Sequence, residues 1–250
     1  IFQPAEEMLP GGAKQMIHEG VLENPKVDKI FGQHVFPDLE VGKVGFCSGK
    51  YMASTDEIHV SIKGKGGHAA LPKQYRNPIL AASQLIITLD SYFKEYQDHP
   101  SVFAIGFVEG LGSTNIIPDL VVLKGTLRAV DEVFRKESHR KMLEVSNLIE
   151  KKCSMEIDFD IRQGYPCLIN DSKLTKQSFK FAQEYLGIDN VIELPIRMTA
   201  EDFAYYAQQI PACFYRLGTA NIQKGITHAL HTSRFNIDES SLKIGMGLIA

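Results

Sequence analysis

The sequence predicts an α/β domain interrupted by an inserted α+β module of ferredoxin-like order, and three observations carry that reading. Residues 1–45 alternate strand-like and helix-like segments. From near Gly49 the strands become strictly alternating and two long helices appear between them. After Gly164-Tyr165-Pro166 the α/β style resumes. The expected division is 1–50 and 165–250 for the α/β domain, with 51–164 as the insert.

Taken in order, Ile1-Phe2-Gln3 reads as the end of a strand, so the chain is expected to begin inside a larger protein. Gly11-Gly12 opens a short amphipathic helix from Ala13 to Glu19, and Val27 to Val35 contains a strand with His34 near its end. Glu57 to Gly64 alternates with period two, as a half-buried antiparallel strand does. Gly64 to His68 is expected to be a tight loop. Asn77-Pro78 is a helix start, and Ile79, Leu80, Ala82, Leu85, Ile86 and Leu89 supply its apolar face. Strands follow at Val102–Glu109 and Leu120–Val130, then a helix from about Glu132 to Cys153 and a strand from Glu156 to Gln163. That order, β-α-β-β-α-β, is the split βαβ pattern. In the last part, helices are expected at Leu174–Leu186, Ala200–Gln209 and from Leu242, with strands at 191–194 and 212–217.

A 250-residue chain with 44% hydrophobic and 23% charged residues has ordinary globular composition. The net charge of −3 and the lack of a basic block give no reason to expect nucleic acid or an acidic membrane as a partner. No apolar run approaches the roughly 18 residues a membrane span requires. Cys47, Cys153, Cys167 and Cys213 lie far apart, which favours reduced thiols in a cytoplasmic protein over a disulfide scaffold.

Chemistry is concentrated in Gln3-Pro4-Ala5-Glu6-Glu7. A carboxylate pair at a strand end suits one group binding a metal and the other moving a proton, although such a pair is also an ordinary solvated turn. His34, His228 and His231 are further ligand types at strand ends or in following loops. Glu7 precedes His34 by 27 residues and His231 by 224, so any site is assembled by folding rather than by a local motif. Oxygen and imidazole donors suit zinc, manganese, nickel or cobalt. His34 could equally be a buried structural histidine, and His68 and His231 solvated loop residues.

Eight segments in order carry a resemblance: Phe2–Glu7, Gly32-Gln33-His34, Gly64–Pro72, Asn115–Asp119, Gly125–Arg128, Glu201-Asp202-Phe203, Leu217-Gly218-Thr219 and Leu230–Phe235. Together they resemble the aminoacylase and carboxypeptidase type of metal-dependent amidohydrolase, closest to its hippurate and auxin-conjugate hydrolase branch. The resemblance covers essentially the whole chain. It implies a zinc-peptidase-like catalytic domain, here without its N-terminal strands, and an inserted lid and dimerisation domain. It implies Glu6 as the general base acting on a water held by the metal, Glu7 and His231 as ligands of one ion, and His34 as a ligand of a second. It implies His68 as the residue steadying the oxyanion, in dimeric members at the partner subunit's site. Asn115, Arg128 and Glu201 match positions expected near the substrate, where an arginine grips a carboxylate bidentately.

The implied reaction is hydrolysis of an N-acyl amino acid such as an acetyl, benzoyl or indole-acetyl conjugate. A dipeptidase, or a non-catalytic remnant that binds a ligand or dimerises, are the alternatives. The family's Cys-Gly-His-Asp segment, expected upstream of Gln3, has no counterpart here, and none of the four cysteines replaces it. Half of a two-metal cage is therefore expected to be missing, and the isolated chain to be inactive or nearly so. Met198-Thr199-Ala200 also stands where the family often has a glycine and a small residue.

Overall fold

A computed structural model describes residues 1–96 and 98–250. In chain order the elements of the first half are α1 (Gly12–His18), β1 (Ile30–Glu40), β2 (Val44–Phe46), β3 (Gly49–Met52), β4 (Asp56–Lys63), β5 (Gly67–His68), α2 (Pro78–Glu95), β6 (Ser101–Glu109), β7 (Ile116–Ile117) and β8 (Leu120–Ala129). The second half holds α3 (Glu132–Cys153), β9 (Glu156–Gln163), β10 (Leu168–Asn170), α4 (Ser172–Leu186), β11 (Val191–Glu193), α5 (Ala204–Ala207), β12 (Ala212–Ala220) and α6 (Ser240–Ile249). They form two compact units: one of residues 1–52, 168–197 and 201–250, the other of 53–167 and 198–200.

The first unit is built on a mixed sheet of order β1-β12-β2-β11. β1 runs parallel to β12, from Ile30 opposite Ala212 to Phe36 opposite Gly218, whereas β2 is antiparallel to β12. All nine residues of β12 are buried, as expected of a strand covered on both faces. Its alternate side chains serve two cores. Ala212 and Phe214 pack with Tyr51, Phe203 and Tyr206 on one face. Cys213, Tyr215 and Leu217 pack with Val44, Phe46 and Leu174 on the other. His34 stands opposite Arg216 in the β1–β12 register, on the Phe214 face. Gly32, two residues earlier, is small for a reason: a Cβ there would stand 2.6 Å from the Phe214 ring and 2.8 Å from the Phe203 ring.

In the second unit an antiparallel sheet of order β6-β8-β4-β9 is joined in the sequence β-α-β-β-α-β. Ile58, Val60 and Ile62 of β4 alternate inward against Leu85 and Leu89 of α2 and Met142 and Val145 of α3. Local chemistry fixes both helix starts. Asn77 caps α2 by accepting from Ile79 N–H at 3.0 Å, with Pro78 as first helical residue. Asp131 caps α3 by accepting from Val133 and Phe134 N–H, both at 2.9 Å.

Several sequence expectations shift in detail. Gly64–His68 is not wholly loop, since Gly67 and His68 pair with Ile117 and Ile116. The helix expected over 200–209 shrinks to α5, which starts after Phe203 without a side-chain cap. The short strands β2, β3 and β10 were not anticipated, since three or four residues carry no measurable periodicity. All four cysteines are free thiols. Among the described residues no helix is long and apolar enough to cross a membrane.

Candidate active site

Glu6 and Glu7 sit in a turn between the chain start and α1, where Met8 N–H donates to the Ala5 carbonyl at 3.2 Å and Gly11 N–H to the Met8 carbonyl at 2.8 Å. Ala5 adopts φ 57°. A non-glycine residue in that left-handed region costs of order 1–3 kcal/mol and persists only where its surroundings enforce it. Three contacts do so. Gln3 Nε2 donates to both carboxylate oxygens of Asp202, at 2.6 and 2.7 Å. Ala13 N–H donates to the same carboxylate at 3.0 Å. Gly12 lies so close to Pro4 that a Cβ would stand 1.9 Å from the Pro4 carbonyl oxygen. Gly12→Ala is therefore expected to destabilise the protein by about 1–3 kcal/mol, the usual cost of overpacking. Urea denaturation checks this, and an unchanged midpoint would contradict the close approach.

The next carboxylate along is Glu201. Ligand oxygens of Glu6, Glu201 and Asp202 lie within 4.8 Å of one another. Glu201 is 6% exposed, and burial, followed by the charges of Glu6 and Asp202, pushes its pKa up to about 8. Burial, Glu7 and Asp202 also raise the Glu6 pKa, against a hydrogen bond from the Asp202 backbone N–H that lowers it. Three crowded carboxylates are an arrangement a cation relieves.

Two imidazoles complete the set. His34 Nδ1 lies 2.7 Å from the Val35 carbonyl. A carbonyl only accepts, so Nδ1 carries the proton and Nε2 keeps its lone pair. Burial and the neighbouring Arg216 charge lower the His34 pKa to about 4, so the ring is neutral near pH 7, as a metal ligand must be. His231, itself at φ 59°, places Nε2 3.6 Å from Glu7 Oε1. Two donors bound tetrahedrally to one ion at about 2.0–2.1 Å stand roughly 3.4 Å apart, so the pair is spaced for a shared zinc-sized cation. The charge of His231 reaches both Glu6 and His34. Donor types, spacing and neutral His34 thus fit a divalent metal.

Glu6, Glu7, His34, His231 and Glu201 all belong to the first unit. A hollow of about 700 Å³ is lined by Gln3, Glu6, His34, Glu201, Phe203 and Phe214, among others. His68, Asn115 and Arg128 belong to the second unit. Exposed His68 accepts Ala70 N–H at Nδ1, 3.1 Å away, which leaves the proton of the neutral ring on Nε2 as an outward donor. The Asn115 carbonyl accepts Ala69 N–H at 2.9 Å, so the two residues are neighbours. Arg128 is half-buried, donates to the Met198 carbonyl at 3.4 Å, and has its pKa lowered by burial.

Sequence reasoning missed Gln3, Asp202 and Arg216 as parts of this site. Gln3 and Asp202 lie inside two of the quoted segments, so the signal was present but was assigned to their neighbours. Arg216 is buried in β12 with its Nε 3.3 Å from the Tyr51 hydroxyl. One arginine in an apolar strand gives no warning of that.

The model of peptidase family M20/M25/M40 matches residues 1–250. An IAA-amino acid hydrolase ILR1-like 4 of Arabidopsis thaliana is 35% identical over all of this chain and 58% of its own length. N-acetyl-L-cysteine deacetylase of Bacillus subtilis is 34% identical over 97% of this chain and 56% of its own. Among solved structures, the YXEP protein of Bacillus subtilis, described as a dinuclear metal binding peptidase of the M20 family, matches 99% of this chain with a TM-score of 0.78 at 30% identity, over 62% of its own length. A methicillin-resistant Staphylococcus aureus protein matches with a TM-score of 0.89 at 30% identity, covering 99% of this chain and 63% of its own. The chain spans 56–65% of the length of the curated relatives it matches.

Proposed function

The chain belongs to peptidase family M20/M25/M40, and on that premise we propose that it forms the larger part of a metal-dependent hydrolase of N-acyl amino acids. The observation that carries this reading is the approach of His231 Nε2 to within 3.6 Å of Glu7 Oε1, two donors 224 positions apart in the chain. Glu7 and His231 would hold one divalent ion and His34 a second, whether zinc, manganese, nickel or cobalt. Such ions, when bound, supply Lewis-acid polarisation of the amide carbonyl and a water of lowered pKa.

The chain's own residues do the remaining work. Glu6 takes the proton of the attacking water and hands it to the leaving nitrogen, a role served by a carboxyl pKa that burial and the neighbouring carboxylates raise. The outward Nε2–H of His68 is the donor for the developing oxyanion, worth about 2.7–4 kcal/mol of barrier where such donors have been removed. Arg128, whose charge finds no carboxylate among the described residues, grips the substrate carboxylate beside Asn115, and Glu201 lines the substrate end of the hollow. The second unit acts as lid and dimerisation module. Its edge strand β6 leaves Val102, Phe107 and Val108 exposed, a surface suited to a second copy.

The test is a panel of acetyl, benzoyl and indole-acetyl amino acids and dipeptides, assayed with and without chelator. The complete protein is expected to hydrolyse at least one N-acyl amino acid, to lose activity on chelation and to regain it with added divalent ion. Undiminished hydrolysis under chelation would sink the metal-dependent reading.

A further inference from the structure

We propose that Asp202 is the positioning residue of this site, a buried carboxylate that clamps both ends of the segment presenting Glu6 and Glu7. The proposal rests on the reading of Glu6 as base and Glu7 as ligand.

Asp202 is fully buried, yet no basic side chain meets its carboxylate among the described residues. Its oxygens are taken instead by Gln3 Nε2 at 2.6 and 2.7 Å and by Ala13 N–H at 3.0 Å. Gln3 stands just before the Glu6–Glu7 turn, and Ala13 just after it, in the first turn of α1. A third link is made by the backbone: the Asp202 N–H donates to the Glu6 carboxylate. One residue from a remote part of the chain thus touches the turn before, at and after the catalytic pair. Charge-assisted hydrogen bonds of this kind are about twice as strong as neutral ones.

The clamp has something to hold. Ala5, immediately before Glu6, is left-handed at φ 57°. Pro4 is pinned from the other side by Gly12, whose missing Cβ lets the Pro4 carbonyl approach. Released from Asp202, the turn would relax toward ordinary backbone and carry Glu6 away from its place beside Glu201 and His231. A displacement of about 1 Å at a reacting group costs roughly 10²-fold in rate.

The hydrogen-bond polarity yields a specific pattern. In Gln3→Glu two carboxylates face each other and the clamp opens. In Asp202→Asn the Gln3 amide can turn over to accept from the new NH₂ group, while the remaining oxygen keeps Ala13, so the damage is smaller. In the double variant the Asn amide donates to the new carboxylate and the net charge is that of the wild type. We expect kcat to fall about 10²-fold in Gln3→Glu and about 3–10-fold in Asp202→Asn, with KM changed less than threefold in both. The double variant should recover at least about tenfold over Gln3→Glu. Hydrogen exchange of residues 4–13 and Mn²⁺ affinity, measured on the same variants, should follow the same order. Gln3 is only partly buried, so Gln3→Glu is not expected to threaten folding. A double variant no better than Gln3→Glu in exchange or Mn²⁺ affinity overturns the clamp. If the wild type hydrolyses none of the substrates while exchange and Mn²⁺ affinity still follow the pattern, the proposed reaction fails and the clamp stands.

Discussion

Glu6→Gln is expected to lower kcat by at least about 10³-fold while leaving divalent-ion affinity within a few-fold, and Glu7→Ala to do the reverse to binding. The two carboxylates are adjacent in sequence but differ in surroundings. Glu6 is half-buried, faces Glu201 and Asp202, and has a raised pKa. Glu7 is exposed and stands 3.6 Å from His231. Glutamine at position 6 keeps the shape and can still accept from the Asp202 N–H, but it cannot take a proton. Alanine at position 7 removes half of the Glu7–His231 donor pair. Because a base works only when deprotonated, wild-type kcat/KM should rise with pH through the elevated Glu6 pKa and level off above it. Kinetics across pH, paired with Mn²⁺ titration calorimetry, separates the roles. Retention of more than about a tenth of wild-type activity in Glu6→Gln would remove it as the base.

That two neighbours divide these duties was legible in the sequence only through family order. Elements with long periods were read well from residues alone: α3 runs over the expected Glu132–Cys153, and β4 differs from the expected strand by one residue at each end. Their signals are local, a capping Asp131 and a strict alternation from Glu57. β2, β3 and β10 are stabilised by partners far along the chain, Arg216 and Leu217 for β2 and Lys50 for Ile169 of β10, and three residues cannot announce that.

The site divides along the same line. His34 was visible as a histidine near a strand end, but its lowered pKa comes first from burial and then from Arg216, which stands opposite it in the β1–β12 register. Asp202 was visible as one member of a motif, but its acceptors serve Gln3 and Ala13, 199 and 189 residues away. Residue type is local information, whereas proton affinity and orientation are properties of neighbours the fold supplies. The left-handed backbone at Ala5 was not readable at all, since alanine does not favour it.

The buried Glu201 leads to the second large expectation, that Glu201→Gln stabilises the metal-free protein at pH 8 by on the order of 3 kcal/mol and has little effect near pH 4. In the unfolded chain this carboxyl titrates near 4.5, and in the folded protein near 8. Burial is the main cause, followed by the charges of Glu6 and Asp202, and the nearby Arg216 offsets them only in part. Between these two values the folded protein holds a proton that the unfolded chain has released. Wild-type stability should therefore be full below about pH 4.5, decline as pH rises, and stop declining above about 8. Glutamine is neutral throughout, so the variant should lose that slope. Urea denaturation in chelator at intervals from pH 4 to 8.5 measures both curves, and parallel curves would show that Glu201 does not hold its proton. A divalent ion supplies the positive charge the cluster lacks, so adding Mn²⁺ to the wild type at pH 8 should recover stability and release protons to the buffer. The strain that makes the metal-free site unstable near neutral pH is then the same imbalance of charge that favours loading it.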